Sequence, residues 1–341
     1  MHLVRVCKAE AAWQWHNHFE FNVPAGKKLL RINWDETALC LHQNSKAGNV
    51  FVSKGHDAMQ KVSLSARRCY INHVALVCDD PIVQAALPQI VICNERTLPA
   101  KMHAELQARL GGNFVLLRGK SAWINTESTI QILEMIAKAL QPYLGTRQPL
   151  LMFDAFRGHI GARVFFAGAR YKIWLLIVPA GMTWLLQVLD THVFRAYKAC
   201  LRNAYQLHCI RQGLETHSLA LLLDSVRDAT ASVINAEDWS AAFAKNGFGQ
   251  LQSQVRPRIW KALGLKTPLV MPVARPTDAQ VRLCFPSNAK VFYKGIWRVL
   301  DNPVAAVPKA VFAKAKPAAK AAPIASRTRS KTKSVVGAPC A

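Results

Sequence analysis

The order of apolar runs predicts an α/β fold: a mixed sheet flanked by helices, followed by a helical extension. Three observations carry this. Short apolar runs bounded by turn formers recur between residues 28 and 178, at the length of buried strands. Between two of them, residues 126–140 switch to helical spacing, with Ile130, Leu133, Ile136 or Ala137, and Leu140 on one face. After the run Ile173–Val178, a long amphipathic stretch follows from about Leu189 to Arg211. Strands interleaved with helices in this way build a sheet covered by helices.

The elements follow in order. Residues 1–27 read as a short leader; the segment to Phe21 is polar and aromatic, without the apolar centre of a signal peptide. Leu29–Trp34 is a strand that stops at Asp35. Asn49–Ser53 and Val62–Cys78 read as further strands, the second span as an antiparallel pair, and Pro88–Cys93 and Asn113–Leu117 as short buried strands. Ser128 is expected to cap the helix over 126–140, with Gln131 three residues on. Pro149–Phe153 is a strand that delivers Asp154, and Arg163–Tyr171 a short helix. The uncharged run Ile173–Leu189 is at the short limit for a membrane span, but Pro179 and Gly181 interrupt it, so it reads as a buried strand and a turn. The expected core is 28–214. Residues 215–301 read as a mostly helical extension with a small β-hairpin around Gly295, and 302–341, rich in Ala, Pro and Lys, as a disordered basic tail.

Charge narrows the partner. The 341 residues hold 44 Lys and Arg against 20 Asp and Glu, a formal +24. Eight of those basic residues and no acid lie in 302–341, so sixteen of the excess positive charges belong to residues 1–301. The expected folded part is itself basic, as a nucleic-acid groove requires. The nine cysteines include no Cys-x-x-Cys pair, which argues against a zinc ribbon or a dithiol redox site and for reduced thiols.

Asp35, Asp154 and Asp190 sit where a metal site would want them: after one strand, after another, and at the start of the long helix. Clustered carboxylates repel one another unless cations neutralise them, and Mg²⁺ or Mn²⁺ prefers such oxygen ligands. Two such ions could activate water and stabilise the leaving oxygen of a phosphodiester. Spacing alone does not establish this, because an aspartate at a strand end is more often a turn former or a cap. Arg195, Lys198 and Arg202 share a face of the helix after Asp190 and suit phosphate contact, the alternative being a solvated face. His159, after Gly158, could position a phosphate or water near Asp154 or simply pack a turn. His16-Asn17-His18 lacks the downstream metal-ligand context of the nuclease family it spells.

Local text sharpens the reading. Ile32-Asn33-Trp34-Asp35-Glu36-Thr37, Leu150-Leu151-Met152-Phe153-Asp154-Ala155-Phe156-Arg157-Gly158-His159, and the block from Val178 through Leu186-Gln187-Val188-Leu189-Asp190 resemble, in order, the three acidic motifs of the pogo/Tigger branch of DDE transposases. Phe194–Arg202 resembles the helix after the third. The resemblance spans about residues 28–214. It implies an RNase H-like fold, a two-ion Mg²⁺ or Mn²⁺ site on Asp35, Asp154 and Asp190, DNA as partner, and nuclear work. It implies no membrane, and a homo-oligomer is compatible with it. Glu36 follows the first aspartate as in that motif without being a triad member. Val188 stands where the family usually has Pro, and Ala155 where Asn commonly follows the second Asp. The helix-turn-helix modules that usually precede the core do not fit in the 34 residues before Asp35. Two functions are therefore expected in competition: an active endonuclease or transposase, and a domesticated, inactive relative that binds DNA or chromatin.

Overall fold

The computed structural model describes residues 2–40, 70–212, 218–249, 256–267 and 274–287. Helix α1 (His2–Phe21) leads into β1 (Lys28–Cys40). Then come β2 (Tyr70–Cys78), α2 (Pro81–Gln84), β3 (Gln89–Asn94), α3 (Ala100–Leu110), β4 (Phe114–Gly119) and α4 (Thr126–Leu140). Next are β5 (Arg147–Asp154), α5 (Ala162–Arg170), β6 (Trp174–Val178) and α6 (Thr183–Leu186). A π-helical turn, Leu189–Val193, opens α7 (Phe194–Gln212). Four helices complete the described chain: α8 (Leu219–Ala229), α9 (Ser240–Lys245), α10 (Pro257–Ala262) and α11 (Asp278–Leu283).

The strands form one sheet in the order β4-β3-β2-β1-β5-β6. Strand β2 runs antiparallel to both neighbours, and the other pairings are parallel. Hence β1, β3, β4, β5 and β6 all end at one edge. Parallel neighbours need crossovers, which α3 provides between β3 and β4 and α5 between β5 and β6. The mixed sheet with flanking helices is the expected RNase H-like α/β arrangement. Its centre is apolar through and through: Leu30, Ile32, Trp34, Leu151, Met152, Phe153, Leu175 and Leu176 are all fully buried, as strands covered on both faces must be.

Several expectations shift. The 1–27 segment is not a loose leader, because α1 is built into the core. Ala9, Ala11, Ala12, Trp13, Gln14, Trp15, His16 and Asn17 are buried, Phe19 stacks on Trp174 at 4.8 Å, and Trp13 Nε1 donates to the Asn246 carbonyl at 3.0 Å. The helix is buried all round its middle with small and polar residues, so its sequence shows no apolar stripe. Gln14 bonds to the Ala274 carbonyl and to Gln280, while His16 and Glu20 meet Arg31. That guanidinium donates to His16 Nε2 at 2.8 Å, Asp79 Oδ2 at 2.7 Å and the Gly249 carbonyl at 2.7 Å, and pairs with Glu20. His16 thus accepts on Nε2 and faces Asn17 Oδ1 with Nδ1, a structural role.

Asp35 does not end its strand. Strand β1 continues to Cys40 because β2 goes on pairing with it, Cys40 opposite Tyr70. The cap of α4 is Asn125, whose side chain accepts from Ser128 N while Ser128 bonds back, so Ser128 is the third residue of a capping box. The helices of 219–283 do not stand apart from the core. Helix α8 packs on α7 and α3, α11 packs on α1, and Arg109 Nε reaches Asp224 at 2.8 Å. The strand expected at Asn49–Ser53, the first half of the Val62–Cys78 pair, the hairpin around Gly295 and the tail 302–341 lie outside the described residues. Among the described residues no helix is long and apolar enough to cross a membrane. Cys7, Cys78, Cys93, Cys200, Cys209 and Cys284 are free thiols.

Candidate active site

The register of the sheet brings the first two aspartates together. Strands β1 and β5 are parallel, with Ile32 beside Leu151 and Asn33 beside Met152. Two residues further along each strand stand Asp35 and Asp154. Parallel partners point the same way, so both carboxylates project from one face of the sheet at its edge.

Asp190 is carried to that face by two side-chain amides. Asn33 also points there; its Nδ2 donates to the Met152 carbonyl at 3.0 Å and its Oδ1 accepts from Leu189 N at 2.8 Å. Gln187 Nε2 donates to the Trp34 carbonyl at 3.3 Å. Asn33 and Gln187 are both buried, so these amides fasten the turn before α7 to the strand that bears Asp35. The turn is π-helical, a local widening often found at functional sites. Val188, the residue standing in place of Pro, has φ −63°. That is the angle proline would impose, so this departure leaves the backbone path unchanged.

Asp35 feels its acidic neighbours. Burial, with the charges of Asp190, Glu36 and Asp154 added, pushes Asp35 up to about 9, against the counter-effect of the Glu36 backbone N–H that its carboxylate accepts. Asp35 and Asp154 are half-buried and Asp190 is exposed. Phe156 N donates to Asp154 Oδ1 at 3.1 Å, which holds the turn after β5.

His159 was expected near Asp154 and is there, but it is buried rather than presented to a ligand, at 1% exposure. Its Nδ1 lies 2.9 Å from Asp154 Oδ1 and its Nε2 3.0 Å from Glu36 Oε1. The Nε2 contact has ion-pair distance without hydrogen-bond alignment. Burial alone would lower the imidazole's pKa, yet the carboxylates of Asp154 and Glu36 outweigh it and hold His159 at about 9. The ring sits against Trp34 and Phe153, each with centroids 5.1 Å away. Trp34 Nε1 donates to Glu36 Oε1 at 2.8 Å. Glu36 points to the opposite face from Asp35, so His159 spans the strand ends and ties the two faces together. Ligand atoms of Glu36, Asp154 and His159 all lie within 4.8 Å of one another. Sequence reading missed the part played by Glu36, although it stands beside Asp35 in the first motif.

Arg195, Lys198 and Arg202 are exposed on α7, while Tyr197, Leu201 and Tyr205 are its buried face. Lys198 Nζ lies 5.2 Å from the centre of its neighbour Phe194's ring. Among the described residues no carboxylate pairs with these three cations.

The donor chemistry fits a hard divalent cation. The site gathers carboxylate oxygens whose mutual repulsion a cation would relieve, and oxygen is the ligand such ions prefer. Residues 83–243 match the family model described as DDE superfamily endonuclease. The matched stretch contains Asp154, His159 and Asp190, while Asp35 precedes it. The match supports the superfamily to which the three motifs pointed. No curated protein matches the chain.

Proposed function

We propose that this chain is a divalent-metal-dependent DNA endonuclease of the transposase type, in the pogo/Tigger branch, that works on DNA in the nucleus. The observation that carries the reading is that Asp35 and Asp154 stand on neighbouring parallel strands, with Asp190 at the start of the next helix and the charges of both acting on Asp35, next to an exposed basic helix face. In this reading Asp35, Asp154 and Asp190 hold two Mg²⁺ or Mn²⁺ ions. When bound, such ions supply charge neutralisation at a phosphodiester and activation of the attacking water. The protein's own work is positional. Asn33 and Gln187 keep Asp190 against β1, while His159 keeps Asp154 and Glu36 from drifting apart. Arg195, Lys198 and Arg202 take the phosphate backbone, which fixes the strand without reading its sequence.

The test is a nicking assay on random and genomic duplexes with Mg²⁺ or Mn²⁺, run beside a binding titration. The chain should nick with little sequence preference and bind DNA with a steep salt dependence, since counterion release drives that binding. Asp154→Asn should abolish nicking, since it removes a charged ligand at nearly constant shape, and leave binding intact or tighter. Nicking that persists without metal, or in Asp154→Asn, rules out the mechanism. Binding without nicking under any condition would favour the non-catalytic DNA-binding alternative. Deleting 302–341 should weaken binding without abolishing it; complete loss would put the nucleic-acid role in the tail.

A further inference from the structure

A single exposed aromatic is ordinary, but several gathered in one region can mark a binding surface. Three such rings stand on the loops at the carboxylate edge. Trp123, in the β4–α4 connection, is 70% exposed; Phe156, two residues after Asp154, 41%; and Trp184, on α6 between β6 and Asp190, 47%. Strands β4, β5 and β6 all end at this edge, so three separate connections each raise one ring there. Two of these connections touch. A side chain at Gly158 would meet the Phe156 ring at 3.1 Å and the Asn125 backbone at 3.3 Å. Arg163 of α5 fastens to Glu127 of α4, with Nη2 2.9 Å from Oε2. The rings are also held. Phe156 packs edge-on against His159 at 5.4 Å, and Trp184 donates its indole N–H to the Gly181 carbonyl at 3.1 Å. That hydrogen bond uses the polar edge of Trp184 and leaves its face.

Exposed cations stand close to the rings in the chain: Lys120 three residues before Trp123, Arg157 next to Phe156, and Arg195 and Lys198 after Asp190. Aromatic faces interleaved with cations suit a polyanion that has free π-faces. A protein partner would want a continuous apolar patch, and these rings stand singly on three connections, two of which also carry an exposed cation. Bases within a duplex have already used their faces on each other. Only unpaired bases can stack on a side chain, and every base has such a face, so the contact tolerates any sequence.

We propose that Trp123, Phe156 and Trp184 form a stacking rim for unpaired bases flanking the phosphodiester at the carboxylates, so the site favours frayed or single-stranded DNA over continuous duplex. This rests on the nuclease reading above. The test is fluorescence anisotropy on the full chain, with Ca²⁺ replacing Mg²⁺, using a paired duplex and the same duplex with a short single-stranded flank. The flanked probe should bind more tightly. Trp123→Ala, Phe156→Ala and Trp184→Ala should each weaken it about tenfold while leaving the duplex unchanged. Trp123→Phe and Trp184→Phe should keep most of the affinity, since a ring remains. Equal losses on both probes, or no loss on the flanked one, would overturn the stacking rim and leave the nuclease reading standing. Alanine variants that lose self-association but not flank binding would reassign the rings to a protein contact. Failure of the parent chain to bind either probe would bring down both readings.

Discussion

Asn33 is where folding and chemistry share one side chain. Replacing it by alanine removes a donor from the Met152 carbonyl and an acceptor from Leu189 N–H, bonds of 3.0 and 2.8 Å. Met152 and Leu189 are fully buried, so neither group gains water in exchange. Each unsatisfied buried group costs roughly 1–3 kcal/mol, which gives about 2–6 kcal/mol in total. A typical domain has about 5–15 kcal/mol to lose, so the variant still folds. Its chemistry should suffer separately. Leu189 precedes Asp190, and with its amide released the Gln187 bond to Trp34 is the hydrogen bond left tying the turn to β1, beside the bond from Asn246 to Thr191. A carboxylate that wanders slows the chemical step more than it weakens DNA binding, so kcat should fall with KM nearly unchanged. The control is Ile32→Ala, one residue away on the opposite face. It should cost a similar amount, about 2–5 kcal/mol, through its cavity, yet touch nothing that holds Asp190. Urea unfolding measures the stability loss, and single-turnover nicking at saturating DNA, normalised to folded protein, measures the chemistry. If Asn33→Ala nicks as fast as Ile32→Ala, the idea that Asn33 positions Asp190 is wrong.

Arg31→Met should destabilise the fold by about 2–4 kcal/mol in urea unfolding, because it strands the partly buried carboxylates of Glu20 and Asp79 and leaves His16 without its donor; a loss under 1 kcal/mol would mean that water reaches them. Gly247→Ala should cost about 2–4 kcal/mol, since φ there is +88° and the new methyl would stand 2.5 Å from Trp13 Nε1. A neutral result would show that α1 can shift. His73 is fully buried, with Nδ1 2.7 Å from the Tyr197 hydroxyl, and burial lowers its pKa from 6.5 to about 4. The unfolded chain therefore takes up the proton first, so stability is full above 6.5 and drains as pH falls towards 4, by up to about 3 kcal/mol. Thermal melts across that range should show the loss, and His73→Gln should flatten it. A slope unchanged by the substitution would assign the loss to His16, which burial lowers in the same direction.

The legible part of the molecule was the part written in period. Short apolar strands, the helix over 126–140 and the three acidic motifs are local patterns, and Asp35 lies in β1, Asp154 at the end of β5 and Asp190 in the turn that opens α7. What escaped was what depends on distant partners. Helix α1 hides its role because alanines and buried polar residues dilute its stripe; the groups that satisfy them, Arg31 for His16 and Ala274 and Gln280 for Gln14, are read only once the fold brings them beside it. The extent of β1 beyond Asp35 is set by β2, a strand more than thirty residues away in sequence. Asn33 and Gln187 looked like ordinary polar residues in apolar runs; two amides among fully buried neighbours were the available sign that backbone groups nearby needed partners. His159 was found by its motif, but its burial and its hold on Glu36 follow from strand alternation across two strands.

The position of β1 in the middle of the sheet also has a consequence in time. A chain emerges from the ribosome one end first, and domains fold as their residues become available. Strand β1 appears early, yet its partner β5 lies 119 residues later, the separation between Asn33 and Met152. Helix α1 waits longer still, for Asn246 and Ala274, 233 and 260 residues away from their bonding partners Trp13 and Gln14. Until then Trp13 and Trp15 have nothing to bury against, and an unfinished chain displays them to its surroundings. Contacts this far apart slow folding, because long loops must close before they are rewarded. The same delay means that a partly synthesised chain holds Asp35 without Asp154 or Asp190, so the carboxylates that the proposed reaction needs together meet late in the making of the protein.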